Sequence, residues 1–247
     1  MNVSDAVLIL VGAAAGGFIN GLAGFGTALF ALGFFLTVLP PTQAVALVLV
    51  VSVVTGLQGV WVVRAAILDN PKRLIRFLLP ALVGIPLGLA SLQLVDVAAL
   101  RLVIATFLLI YGGFFLARRS LPKLERPTPI IDMAVGFLGG VLGGLASLSG
   151  ALPTMWCAMR SWPKAETRAV LQPYNVSVLG LSAGLLALHG AYSSETLGFA
   201  VVAIPTALIF AQVGITIFKR IPDAAFQRLL ISLCFVSGLI LLARELL

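Results

Sequence analysis

The sequence predicts an all-α integral membrane protein built of two inverted-topology repeats, each a re-entrant helical hairpin plus three transmembrane helices. Three observations predict it. Of 247 residues, 60% are hydrophobic and only 10% charged, against about 25% charged in a soluble domain, and mean hydropathy is +1.13. Two glycine-rich blocks recur along the chain, and lysine and arginine gather in short connections between apolar runs. So few ionic groups cannot cover a water-soluble surface. A soluble enzyme, a nucleic-acid binder and a secreted disulfide scaffold are therefore set aside. The net charge of +7 reads as membrane orientation. Cys157 and Cys234 sit in apolar runs, where sulfur behaves as a small hydrophobe, so no disulfide or metal framework is expected. The first residues, MNVSDAVLIL, have no basic stretch before the apolar run and read as retained membrane structure.

Taken in order, Ser4 to Leu39 is too long for one span and contains a glycine-rich break. The runs Gln43 to Val63, Leu74 to Val95 and Leu100 to Ala117 follow, each near the roughly 20 residues a spanning helix needs. The stretch RRSLPKLERPTP, Arg118 to Pro129, has three prolines and five charges, both of which oppose a span. This places a first repeat at 1–118, a cytoplasmic linker at 119–129 and a second repeat at 130–247. The second repeat opens with Ile130 to Met159, again glycine-broken. A helix with a polar cluster and the runs Thr196 to Phe218 and Ala224 to Ala243 complete it.

Duplication rests on two blocks. GGFINGLAGFGT at Gly16 to Thr27 matches GGVLGGLASLSG at Gly139 to Gly150 in five positions at a shift of 123, which also carries Pro40 onto Pro163. Asp96 to Leu102 matches Asp223 to Leu229 at a shift of 127. Recurrent glycines also arise wherever membrane helices pack closely, but two blocks in the same order favour a true repeat.

Each long opening region is either one kinked span or a hairpin that folds back inside the membrane. Basic residues stay on the cytoplasmic side. The kinked-span arrangement puts nine of the sixteen inside, and the hairpin arrangement puts fourteen inside, leaving only Arg101 and Arg244 out. Hairpins are preferred. Three further spans after each hairpin then invert the second repeat relative to the first.

The chemistry is expected at the hairpin tips, Asn20 to Thr27 and Gly143 to Gly150. Unwound backbone at membrane depth must be shielded or line a watery cavity. A helix restarting there presents unpaired N–H groups and the positive end of its dipole, which suit an anion. Candidate substrate contacts are Asn20, Gly21, Gly24, Gly26 and Thr27 in the first tip and Gly144, Ser147, Ser149 and Gly150 in the second. The cluster Gln172, Pro173, Tyr174 and Asn175 adds a kink and polar side chains, with Gln172, Tyr174 and Asn175 as further contacts; Ser52, Thr55 and Gln58 face the same way from the first repeat. The bland alternatives are packing glycines, caps and interhelical hydrogen bonds. Trp156 is a possible wall, and Trp61 and Trp162 fit interfacial belts. Arg101, Arg160 and Arg168 set topology or draw an anion to the mouths. His189 falls in an outer connection. Every carboxylate lies near a predicted helix end, so the coupling ion stays open.

GFINGLAGFGTALF and GFLGGVLGGLASLSGALPTMW, each followed by proline and an apolar span, resemble the TauE/SafE family of bacterial sulfite and organosulfonate exporters across nearly the whole chain. The resemblance implies a multi-pass transporter of the bacterial inner membrane, made of two related halves, that moves sulfite, sulfoacetate or a related sulfonate outward without a cofactor. The family's glycine signatures fall on Gly21, Gly24, Gly26, Gly143, Gly144 and Gly150, while Ser147 and Ser149 stand where glycine is also expected. The implied partners are a small anion and the lipid bilayer, not nucleic acid. A passive anion channel would use the same tips. An intramembrane serine protease built on Ser149 and His189 is disfavoured, because the hairpin sets one mid-membrane and the other at the outer edge. The protein is not expected to be an enzyme.

Overall fold

A computed structural model describes residues 3–91, 97–117, 124–146, 149–188 and 190–246, and these form ten helices with no strand element. They are α1 (Val3–Ala23), α2 (Thr27–Leu36), α3 (Pro41–Asp69), α4 (Pro71–Ala90), α5 (Val97–Leu116), α6 (Pro129–Ala146), α7 (Ala151–Ala158), α8 (Lys164–Leu188), α9 (Ser194–Arg220) and α10 (Asp223–Leu246). Proline opens α3, α4 and α6, where its missing N–H costs nothing and its fixed φ suits the first helical turn. Ser193 caps α9 by accepting from the Thr196 N–H at 3.1 Å. Glu195 in the first turn and Lys219 and Arg220 in the last complement the dipole of α9.

Among the described residues five helices are long and apolar enough to cross a membrane: Val3–Ala23, Pro41–Asp69, Lys164–Leu188, Ser194–Arg220 and Asp223–Ala243. The protein is a membrane protein. The expected spans in α4 and α5 are not among these five. Lys72, Arg73 and Arg76 load the start of α4, and the described apolar part of α5 is the shorter Leu102–Leu116.

The chain forms two compact units, Met1–Arg64 with Asn175–Ile221, and Ala65–Tyr174 with Pro222–Leu247. Each therefore combines helices from both halves of the sequence. In the first unit α1 packs on α9 through bare glycine faces: a Cβ on Gly17 or Gly21 would strike the backbone of Ala207 or Ala211, and one on Gly214 the backbone of Phe18 and Leu22. Small residues let the two backbones approach. Around that seam Ile9, Phe35, Leu47, Val51, Phe199 and Ala203 form the core.

In the second unit α6 packs on α4 in the same way. Gly136 and Gly140 meet the backbones of Phe77 and Ala81, and Gly84 meets Phe137 and Val141. Gly17, Gly21 and Gly214 thus find their packing counterparts in Gly136, Gly140 and Gly84. Between the hairpin helices that correspondence is a shift of 119 residues, one helical turn short of the 123 read from sequence identity. The reason is periodicity: Gly136, Gly140 and Gly144 recur every fourth residue, so identities slide by a turn at little cost while backbone contact does not. Elsewhere in this unit α5 lies on α10, with Gly112 against Phe235 and Gly238 against Ala105 and Leu108.

Candidate functional site

In the first unit the break between α1 and α2 is shorter than expected. Helix α1 runs through Ala23, so Asn20 and Gly21 are helical and only Gly24, Phe25 and Gly26 are unwound. Gly24 and Gly26 have φ of 87° and 93°, a region that costs an L-residue about 1–2 kcal/mol. Gly24→Ala and Gly26→Ala are each expected to lower stability by that amount, seen as an earlier thermal unfolding transition of the purified protein.

The tip is tied to its surroundings by amides. Asn20, 4% exposed, donates from Nδ2 to the Ser52 carbonyl at 3.1 Å and to Thr55 Oγ1 at 2.7 Å. The hydroxyls of Ser52 and Thr55 in turn donate to the carbonyls of Val48 and Val51, both at 2.7 Å. Asn175, also buried, donates from Nδ2 to the Gly24 carbonyl at 3.3 Å. Ser52 and Thr55 stand at the middle of the 29-residue α3, and Asn175 at the middle of the 25-residue α8.

What the tip offers is donor-rich and uncharged. Gly26 begins α2 without a side-chain cap, so the first amides of that helix carry the partial positive charge of its dipole. Thr27 is 3% exposed, and its Oγ1 has no hydrogen-bond partner among the described residues. Gly21 is used otherwise: its bare face is filled by Ala211.

The second unit differs in detail. Helix α6 runs through Ala146, so Gly144 is helical, and a turn at Ser149 and Gly150 leads into α7 without a side-chain cap. Ser149 is buried. Ser147 and His189 lie outside the described residues, as do the Arg118–Lys123 part of the linker and Asp96. In the packing register Gly139 stands where the first unit has Asn20. The space above Gly139 is taken by the hydroxyl of Tyr174, which donates to the Gly136 carbonyl at 3.0 Å. Tyr174 is wholly buried and ties α8 to α6. Gln172 accepts from Arg168 Nε at 3.0 Å, and both side chains are buried.

Arg160 and Asp132 are a buried ion pair, which reading the carboxylates as helix-end groups missed. The guanidinium reaches Asp132 Oδ1 at 2.6 Å and donates to the Arg126 carbonyl at 2.7 Å and to Thr128 Oγ1, and the two residues are 2% and 3% exposed. Trp156 donates its indole N–H to Asp132 Oδ1 at 2.7 Å, and the Arg160 carbonyl accepts from Gln227 at 2.8 Å. The usable signal was a lone acid and a lone arginine at opposite ends of one predicted hairpin. Arg73 stacks on Trp162 at 4.7 Å and pairs with Glu166. Gln212, a lone amide on α9, was not singled out from sequence; it accepts from Gln58 Nε2 at 2.7 Å.

Among the described residues no three His, Cys, Asp or Glu side chains gather in a metal-binding group, and both cysteines are buried free thiols. Compared with known proteins, residues 8–241 match the family model described as "Sulfite exporter TauE/SafE". No curated protein and no solved structure matches.

Proposed function

This chain belongs to the sulfite exporter TauE/SafE family of membrane transporters for sulfite-type anions, and on that premise we propose that it exports sulfite or a related organosulfonate across the bacterial inner membrane. The anion is held near the bilayer midplane at the hairpin tips. Asn20, Gly24, Gly26, Thr27 and Asn175 contribute from the first tip and its neighbours; Gly144, Ser147, Ser149 and Gly150 from the second; Gln172 and Tyr174 from α8. Gly21 belongs to the same segment and sets its position through packing.

One observation carries the reading. The uncapped start of α2 follows two left-handed glycines, next to a buried threonine hydroxyl with no partner among the described residues. Asn20 ties the tip to Ser52 and Thr55 at the middle of α3, and Asn175 at the middle of α8 holds the Gly24 carbonyl. Helix-start amides and an uncharged hydroxyl favour an anion without a fixed cation. We read the halves 1–118 and 130–247 as an inverted repeat. The doubled glycine seam of α1 with α9 and α6 with α4 supports this, as does the placement of basic residues in the connections.

Asn175→Ala and Ser149→Ala are expected to weaken sulfite binding about tenfold each, the loss of roughly one hydrogen bond to a charged group. Ligand-dependent thermal stabilisation of the purified protein measures it. Unchanged affinity in both variants would remove the tips from the site. Trans-stimulated counterflow of sulfite in liposomes is expected of a carrier, and its absence with flux intact marks a channel.

A further inference from the structure

We propose that Gln58 and Gln212 form a second, uncharged anion contact within the first unit, a staging site for a sulfonate or sulfite beside the first tip, where Ala211 packs on Gly21. The inference rests on the transporter reading above and adds a binding step to it. Gln58 follows Thr55 by one turn of α3, and Thr55 is the residue that holds Asn20. Gln58 Nε2 donates to Gln212 Oε1 at 2.7 Å. Beyond Gln212, Thr216 lies one turn further along α9, with its hydroxyl on the Gln212 carbonyl at 2.8 Å, and Lys219 and Arg220 close the helix. Polar groups thus follow one another along α9 from this pair to a cationic helix end.

Two features separate this pair from a simple interhelical tie. Gln212 is exposed on a membrane-spanning helix, and an amide in that position is strongly disfavoured against hydrocarbon and belongs on a water-filled passage. Meanwhile Gln58 Oε1 is buried without a hydrogen-bond partner among the described residues. One bond leaves most of the two amides' capacity unused. The spare N–H groups of Gln212 suit the oxygens of an oxyanion, and the orphan carbonyl of Gln58 suits the proton of hydrogen sulfite or a water travelling with the anion.

The test uses the full chain in inside-out membrane vesicles carrying Gln212→Cys; the native Cys157 and Cys234 are buried. The probe is a membrane-impermeant methanethiosulfonate. Sulfoacetate serves as protectant, because sulfite itself would cleave the mixed disulfide. Val213→Cys, at the same depth but about 100° round the helix at an exposed apolar position, is the control. Labelling of Gln212→Cys alone, slowed about tenfold by saturating sulfoacetate, is expected, and Gln212→Leu should slow sulfoacetate flux by a similar factor. If Gln212→Cys is as inert as the control, or labels at a rate sulfoacetate does not change, the staging site is overturned. Failure of the parent reading is separate: it shows as absent sulfite and sulfoacetate flux in vesicles with the unsubstituted chain.

Discussion

Replacing Asp132 with leucine is expected to cost about 3–5 kcal/mol of stability, because it leaves the Arg160 guanidinium buried without its counter-charge. The pair is almost wholly shielded, and Asp132 also accepts the Trp156 indole N–H. The substitution therefore strands two donors as well as a charge. Arg160→Met should be damaging for the mirror reason. The double variant Arg160→Met with Asp132→Leu should recover most of the loss, since two matched apolar groups avoid the desolvation penalty that either single change exposes. Thermal unfolding in detergent, with the fraction of monodisperse protein, reads all three. A double variant no better than the worse single would mean that the surrounding hydrogen bonds, not the charge, carry the effect.

Gly21→Val and Gly140→Val are expected to be comparably severe, at least about 3 kcal/mol each, the upper range for overpacking. In both, the new side chain meets helix backbone, Ala211 in one unit and Ala81 in the other, which cannot rotate away as a flexible side chain can. Even alanine at these positions requires the helices to separate. Gly184→Ala and Gly198→Ala, where nothing stands within 4 Å, should be neutral and serve as controls. Equal penalties at Gly21 and Gly140 are what the doubled seam predicts. A tolerant Gly140 would mean that the two units do not share one packing plan.

The all-helical membrane class was legible because it follows from long continuous apolar runs, which satisfy their backbone hydrogen bonds within helices, whereas barrel strands would alternate. Prolines at 41, 71 and 129 mark where three of the helices begin. The glycine breaks were legible too, but not their length, since helix α1 holds Asn20 to Ala23 in place through its packing on α9. Glycines at every fourth position let a match of sequence identity and a match of packing differ by one helical turn. Sequence identity counts matches, whereas the structure is decided by which glycine has another backbone pressed against it. At the candidate site Asn20 and Asn175 stood out as amides in apolar runs, and both hold the first tip. Tyr174, read as a substrate contact, also ties α8 to α6. Asp132 with Arg160, and Gln58 with Gln212, stayed hidden because each pairing joins residues remote in the chain. Local spacing carries no record of such a contact.

In the proposed site uncharged amides and a helix start receive the anion. Sulfite uptake into proteoliposomes containing Asn175→Asp tests it most directly. A carboxylate there cannot donate to the Gly24 carbonyl and sets a negative charge at the tip. Loss of saturable uptake is expected, with normal insertion and a monodisperse purified protein. Uptake with unchanged affinity and rate would contradict the account.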